Sequence, residues 1–254
     1  MTLHTVDSGG SGHALVFLHG FLESSTMWGY MSFDPLGVRR IFIDLPGHGK
    51  SDICEVLPPG MDVFAQLVME ALDRLDVMEY HIVGHSMGGY VAMELKRMDP
   101  RVDKVVLLNS NFWSDPEEKK IDRRRVAELV YRSKELFLRE AIPNLFREPK
   151  ANAQDIEVLI DESRRMEPDA IAYAALAMAN RKDRSDLIMQ RSADFMLIQG
   201  TDDKIVPKSL MENKLLHLKT NYAVISNVGH MAHIEAPHEV VMLLNTFLAG
   251  KRKD

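Results

Sequence analysis

Apolar residues in this chain fall into short unbroken runs, separated by stretches in which they recur at helical spacing. The runs are Ala14-Leu15-Val16-Phe17-Leu18, Arg40-Ile41-Phe42-Ile43-Asp44-Leu45, Tyr80-His81-Ile82-Val83, Val102 to Leu108 and Phe195-Met196-Leu197-Ile198-Gln199. An apolar run without polar alternation predicts a strand covered on both faces, the situation in a parallel sheet. From Met61 to Leu75 the pattern changes to Val63, Phe64, Leu67, Val68, Ala71, Leu72 and Leu75, which share one side of a helix. Further helices are predicted from Tyr90 to Met98, stopped by Asp99-Pro100, near Lys208 to His217, and from about Pro237 to Leu248. Shorter strands are predicted around Leu3 to Val6 and at Tyr222 to Ser226. Strands alternating with helices predict an α/β protein whose central sheet is mostly parallel and flanked by helices.

The alternation breaks between Phe112 and about Met189, where charged residues are dense and no strand-like run occurs. Helical patterns there, Val126 to Phe137, Ile156 to Met166 and Ile171 to Met178, are punctuated by Pro143, Pro149 and Pro168. The expected organisation is a core of residues 1–111 and 188–254 interrupted by a helical insertion, 112–187. Ser8-Gly9-Gly10-Ser11-Gly12 reads as a flexible turn, and Gly250-Lys251-Arg252-Lys253-Asp254 as a frayed, solvated tail.

Composition narrows the class. With 254 residues, 46% hydrophobic and 27% charged, the chain has enough apolar material for a substantial core and the balance of a soluble globular protein. A net charge of −6 argues against nucleic acid or anionic lipid as partner. No stretch reaches the ~18 apolar residues of a membrane helix, and the start of the chain lacks a basic segment followed by an apolar one. The expectation is a cytoplasmic protein without membrane insertion. Cys54 is the single cysteine, which excludes an intramolecular disulfide and a cysteine zinc cluster, and no His/Asp/Glu spacing resembles a metal site. No cofactor is expected.

The chemistry gathers where strands end. In open parallel sheets ligands sit beyond the carboxyl ends of the strands. Tyr80 to Val83 runs into Gly84-His85-Ser86-Met87-Gly88-Gly89, a Gly-x-Ser-x-Gly turn entering a helix. Small residues on both sides of the serine permit the close backbone approach of such a turn, and Ser86 is lifted beside the free N–H groups of a helix start. A serine hydroxyl needs a positioned base, and an imidazole base needs a carboxylate to fix its tautomer and stabilise its cation. Asp202 and Asp203 follow the Phe195–Gln199 run, and His230 follows Tyr222–Ser226, with His233 and His238 nearby as rival bases.

Five segments in register resemble the α/β-hydrolase fold family, in its single-domain serine esterase-like form with a helical cap. They are His19-Gly20-Phe21, Asp44 to Asp52, Gly84 to Gly89, Gly200 to Pro207 and Gly229 to Pro237. The resemblance implies that Asp203, four residues before Pro207, is the acid, and that His230, preceded by Gly229, is the base. It leaves His233 as a packing residue and His19, His85 and the Pro46–Asp52 loop as structural. It also implies an oxyanion hole made by the backbone N–H groups of Phe21 and Met87. In the cap, Trp113, Phe137, Phe146 and Met178 are candidates to line an acyl pocket, although helical spacing first assigns them to the cap's own core.

The resulting expectation is a carboxylesterase-like serine hydrolase acting on a small-molecule ester or thioester through an acyl-enzyme. Carbon–carbon bond hydrolases, menaquinone-pathway-type lyases and perhydrolases use the same triad and stand as alternatives, as does a non-catalytic or slow-turnover ligand receptor on the same fold. A serine at the elbow excludes the dehalogenase and epoxide hydrolase variants, which use aspartate there. The residues do not specify oligomeric state.

Overall fold

Among the described residues seven strands form one sheet, and along the central strands alternate side chains are buried on opposite faces. In the computed structural model, which describes residues 1–10, 13–33 and 38–249, the strands are β1 (Thr5–Asp7), β2 (Ala14–Leu18), β3 (Arg40–Ile43), β4 (Tyr80–His85), β5 (Val102–Leu108), β6 (Phe195–Gly200) and β7 (Asn221–Ile225). Their order is β1-β3-β2-β4-β5-β6-β7, all parallel except for the antiparallel β1–β3 pair. Ser11 and Gly12 of the expected turn, and the whole expected tail, lie outside the described residues.

The first face packs on α1 (Met61–Arg74) and α2 (Met87–Met98): Val16, Leu18, Val105, Leu107 and Leu197 meet Phe64, Val68, Val91 and Leu95. Leu15, Phe17, Val106, Leu108 and Ile198 point the other way. The cover on that side is a six-residue 3-10 turn at Ser25–Tyr30 together with the closing helix, which contributes Val240, Val241 and Leu244. Phe17 is fully buried between Phe42, Phe33 and Trp28, at ring-centroid distances of 4.8, 5.1 and 5.0 Å. Burial of a side chain that size is worth about 1.5–3 kcal/mol.

Between β5 and β6 every regular element is helical, the α-helices being α3 (Glu117–Ala141), α4 (Ala153–Arg164), α5 (Pro168–Ala179) and α6 (Ser185–Gln190). These elements bury their own cluster, including Val130, Leu138, Phe146, Leu159 and Ile171, against Leu22, Met231 and Ile234 from the sheet's loops. α3 is broken at Ser133 (φ −145°, ψ 40°), which lets one long helix bend around the cluster. Where the chain leaves and re-enters, the Arg184 N–H donates to the Phe112 carbonyl at 2.8 Å, and the buried Asp115 carboxylate accepts from Arg181 and Arg123. α7 (Lys208–Leu215), α8 (Ala232–Glu235) and α9 (Pro237–Leu248) complete the chain.

Several boundaries differ from the pattern-based expectation. The opening strand begins at Thr5 rather than Leu3, because Leu3 turns into the core before pairing starts. β3 stops at Ile43, and just beyond it the Asp44 carboxylate accepts the N–H groups of Ser25 and Lys50. The expected domain boundary at 187/188 falls inside α6. No described helix is long and apolar enough to cross a membrane.

Candidate active site

Ser86 stands between β4 and α2 with φ 48° and ψ −114°, a conformation that costs a non-glycine residue energy and must be held by its surroundings. The hold is a close backbone crossing. A Cβ on Gly84 would lie 2.5 Å from the Gly88 carbonyl oxygen, and one on Gly88 would lie 2.2 Å from that of Leu18, so neither position tolerates a side chain. The Ser86 N–H donates to the Leu108 carbonyl at 3.0 Å, and the Ser110 hydroxyl donates to the Ser86 carbonyl at 2.6 Å.

The loops after β6 and β7 bring the other two predicted residues to it. His230 Nε2 lies 2.8 Å from Ser86 Oγ, and His230 Nδ1 lies 2.9 Å from Asp203 Oδ2. Asp203 is buried, and burial alone would raise its carboxyl. The His230 imidazole and hydrogen bonds from the Val206 N–H and the Asn109 amide outweigh that and hold it at about 2. Oδ1 accepts from the N–H groups of Ile205 and Val206, at 2.8 and 2.9 Å. Oδ2 accepts from Asn109 and Gln199, at 3.0 and 2.9 Å, besides His230. An ionised Asp203 can only accept, so Nδ1 of His230 carries a proton and Nε2 is left to accept the serine's.

The rivals are placed elsewhere. Asp202 is exposed and faces Arg147 at 3.5 Å. His238 is exposed on α9. His233 is fully buried, and neither of its ring nitrogens has a partner among the described residues; burial holds it neutral, far below the ordinary imidazole value. His19 accepts the Leu45 N–H at 2.9 Å and donates to the Gly20 carbonyl at 2.8 Å, fixing the loop after β2.

The two expected oxyanion donors come from adjoining segments, since the start of α2 presses on the end of β2 at Leu18 and His19. Phe21 is half-buried and precedes Leu22, whose φ of 67° turns the chain sharply; Met87 is the first residue of α2, where N–H groups lack intrahelical partners. Among the described residues neither N–H has an acceptor. The four cap candidates do not come together: Trp113 and Met178 belong to the cluster on the first sheet face, whereas Phe146 and Phe137 belong to the insertion's cluster.

Sequence reasoning passed over three residues. Asn109, in a left-handed conformation (φ 46°), donates both to Asp203 and to the Gly229 carbonyl. Gln199 closes the cage on Asp203 from within β6. Glu23, buried, accepts the Gly20 N–H at 2.7 Å and pairs with His85 Nδ1 at 3.0 Å, while His85 Nε2 donates to the His230 carbonyl at 2.9 Å. The pair sits directly behind the base and ties all three loops together. Burial alone would raise the Glu23 carboxyl, but the His85 charge holds it at about 2; burial opposes the His85 cation, yet Glu23 raises it. The signal for Glu23 was a lone carboxylate in an otherwise uncharged stretch from Ala14 to Tyr30.

Residues 15–243 match the sequence profile of the Alpha/beta hydrolase family. The chain belongs to that family. An esterase from Thermogutta terrifontis superposes with a TM-score of 0.88 at 30% identity, covering 97% of this chain and 93% of the other. A 2-hydroxy-6-oxononadienedioate/2-hydroxy-6-oxononatrienedioate hydrolase of Burkholderia vietnamiensis is 26% identical over 98% of this chain and 91% of its own length. The dihydrolipoyllysine-residue acetyltransferase component of an acetoin cleaving system from Pseudomonas putida is 28% identical over 94% of this chain, which spans 64% of that protein. The chain is thus a hydrolase of this family, whose relatives include an esterase and 2-hydroxy-6-oxononadienedioate/2-hydroxy-6-oxononatrienedioate hydrolases.

Proposed function

We propose that this protein is a serine hydrolase cleaving a small carboxylic ester or thioester through an acyl-enzyme. The observation that carries the reading is the unbroken line from Ser86 Oγ through His230 to a caged, ionised Asp203, at 2.8 and 2.9 Å. Ser86 attacks the carbonyl carbon as His230 takes its proton, the N–H groups of Phe21 and Met87 receive the oxyanion, and His230 returns the proton to the leaving alcohol or thiol. Water then enters and attacks the acyl carbon as His230 takes its proton, and His230 returns that proton to Ser86 Oγ as the carboxylic acid leaves. The 30% identical esterase supports this reading over the alternatives.

In this reading α3–α6 cap the site. Support comes from the His230 N–H, which donates to the Leu145 carbonyl at 2.8 Å, and from Ser163 in α4, which donates to the Leu22 carbonyl at 2.7 Å. Phe137, half-buried at the margin of the insertion's cluster together with Phe21 and Leu145, is the best placed of the four aromatic and methionine candidates to touch an acyl chain. Trp113, Phe146 and Met178 serve the core. A second reading, carbon–carbon bond hydrolysis, is favoured by the oxononadienedioate hydrolase, which matches over nearly its full length.

Hydrolysis of p-nitrophenyl esters from acetate to decanoate tests the choice, wild type against Ser86→Ala. Turnover is expected in the wild type and lost by at least a thousandfold in the variant. A folded protein that labels with a fluorophosphonate at Ser86 but turns over none of these esters would defeat the esterase reading in favour of the second.

A further inference from the structure

A cavity of about 500 Å³, within the usual range for small-molecule sites, lies away from the catalytic residues. Neither Ser86, Asp203 nor His230 lines it. Its walls come from β1, β3, the Ser25–Tyr30 turn and the end of α4, and the apolar part is Leu22, Trp28, Met31, Phe33, Phe42 and Met166.

The charges around it are unequal in a telling way. Each carboxylate on the wall is already hydrogen-bonded. Glu23 holds the Gly20 N–H and His85, Asp44 holds the N–H groups of Ser25 and Lys50 and the His4 ring, and Glu162 accepts the hydroxyls of Ser24 and Thr26 at 3.1 and 2.6 Å. The two lining cations, Lys50 and Arg165, are exposed and therefore at the mouth, and neither is ion-paired among the described residues. An apolar chamber with two unpaired cations at its mouth fits a ligand with an apolar tail and an anionic head.

We infer that this cavity is a second binding site, for a medium-chain monocarboxylate whose alkyl tail lies against Trp28, Met31 and Phe42 and whose carboxylate is held between Lys50 and Arg165. Occupancy would press on Leu22 and Glu23, and Glu23 in turn holds the loop that carries Phe21. The site does not depend on the hydrolase reading.

Binding to the full-length protein can be followed by thermal shift and by tryptophan emission, because Trp28 is one of only two tryptophans. Octanoate is expected to bind saturably, to raise the melting temperature, and to bind at least tenfold tighter than butanoate, given about fourfold per buried methylene. It should also exceed octanol and octyltrimethylammonium by tenfold or more. Lys50→Ala/Arg165→Ala should erase the preference over octanol while leaving octanol binding intact. Val6→Asp should weaken binding of both at least tenfold: Val6 lines the chamber, pairs with Phe42 across β1–β3 and is half-exposed, so the fold tolerates a charge there but an alkyl tail beside it does not. Both variants should label with fluorophosphonate at Ser86 like the wild type, which separates this test from that of the catalytic reading. Equal affinity for octanoate and octyltrimethylammonium, absence of saturable binding, or octanoate binding unchanged in Val6→Asp would each overturn the proposal.

Discussion

Two buried imidazole–carboxylate pairs stand side by side in this protein, His230–Asp203 at 2.9 Å and His85–Glu23 at 3.0 Å, with their histidine rings 5.1 Å apart. Residue types, distances and burial are nearly the same. What differs is the group at the far nitrogen. His230 Nε2 faces the Ser86 hydroxyl, which can give its proton, while His85 Nε2 faces the His230 carbonyl, which can only accept. With acceptors at both nitrogens, His85 must carry both protons, and its raised basicity follows from Glu23 beside it. The first pair can move a proton; the second is a fixed cation–anion brace. A dyad's chemistry is decided by its third partner.

The largest expected effect sharpens that contrast. Asp203→Asn replaces an acceptor with an amide that can present N–H to His230, favouring the wrong tautomer, and kcat on an accepted ester should fall by about 10³–10⁴ with little change in KM. Glu23→Gln should cost much less activity, about 10–100-fold, because it disturbs only the placing of the loops. Similar losses of kcat for the two variants, at equal folded fractions, would break the distinction between a proton-moving pair and a brace.

Stability should rank the brace differently. Glu23→Gln leaves a buried cation without its counter-charge, a change worth about 3–5 kcal/mol. Glu23→Gln/His85→Gln, which removes both charges, should recover part of that loss, since two amides of similar size can bond each other and the neighbouring carbonyl. Urea unfolding of the two single variants and the double variant measures the coupling, and strictly additive losses would show that the pair does not act as a unit.

The sequence disclosed the first pair and hid the second for a physical reason. Ser86, Asp203 and His230 lie in loops directly after strands, where turn glycines and strand ends mark them, and the same signals placed β2, β4, β5, α1 and α9 nearly to the residue. Glu23 lies outside any periodic pattern, and its meaning depends on the β2 loop meeting His85 from 62 residues away. Asn109 and Gln199 are similar: polar residues at strand ends read as loop or edge positions until the cage around Asp203 shows what they donate to. The Ser25–Tyr30 turn and α8 escaped because each is short, and the core rather than periodicity holds Trp28 and Ile234 in place. Helix patterns in the insertion revealed its class but not which side faces the site: Phe137 and Met178 lie in such patterns, whereas Trp113 and Phe146 lie between them.

The smallest effect separates the paired histidines from their unpaired neighbours. Glu23 and Asp203, both held at about 2, contribute stability that is complete above the ordinary carboxylate value near 4 and is lost only as pH falls toward 2. His85, shifted upward, contributes fully below about 6.5 and loses its contribution as pH rises through its folded value. Between pH 4.5 and 6.5, therefore, neither pair weakens. His19, His48 and His233 behave oppositely: burial lowers all three, so below 6.5 the unfolded chain takes up protons that the folded chain refuses. For His48, lowered to about 3, the cost reaches about 2 kcal/mol at pH 5. A fall in urea midpoint between pH 6.5 and 4.5 is thus the mark of the unpaired histidines. His48→Gln should flatten the decline by up to about 1.4 kcal/mol per pH unit, the share of one proton. A decline unchanged in His48→Gln would move its cause away from this buried neutral ring.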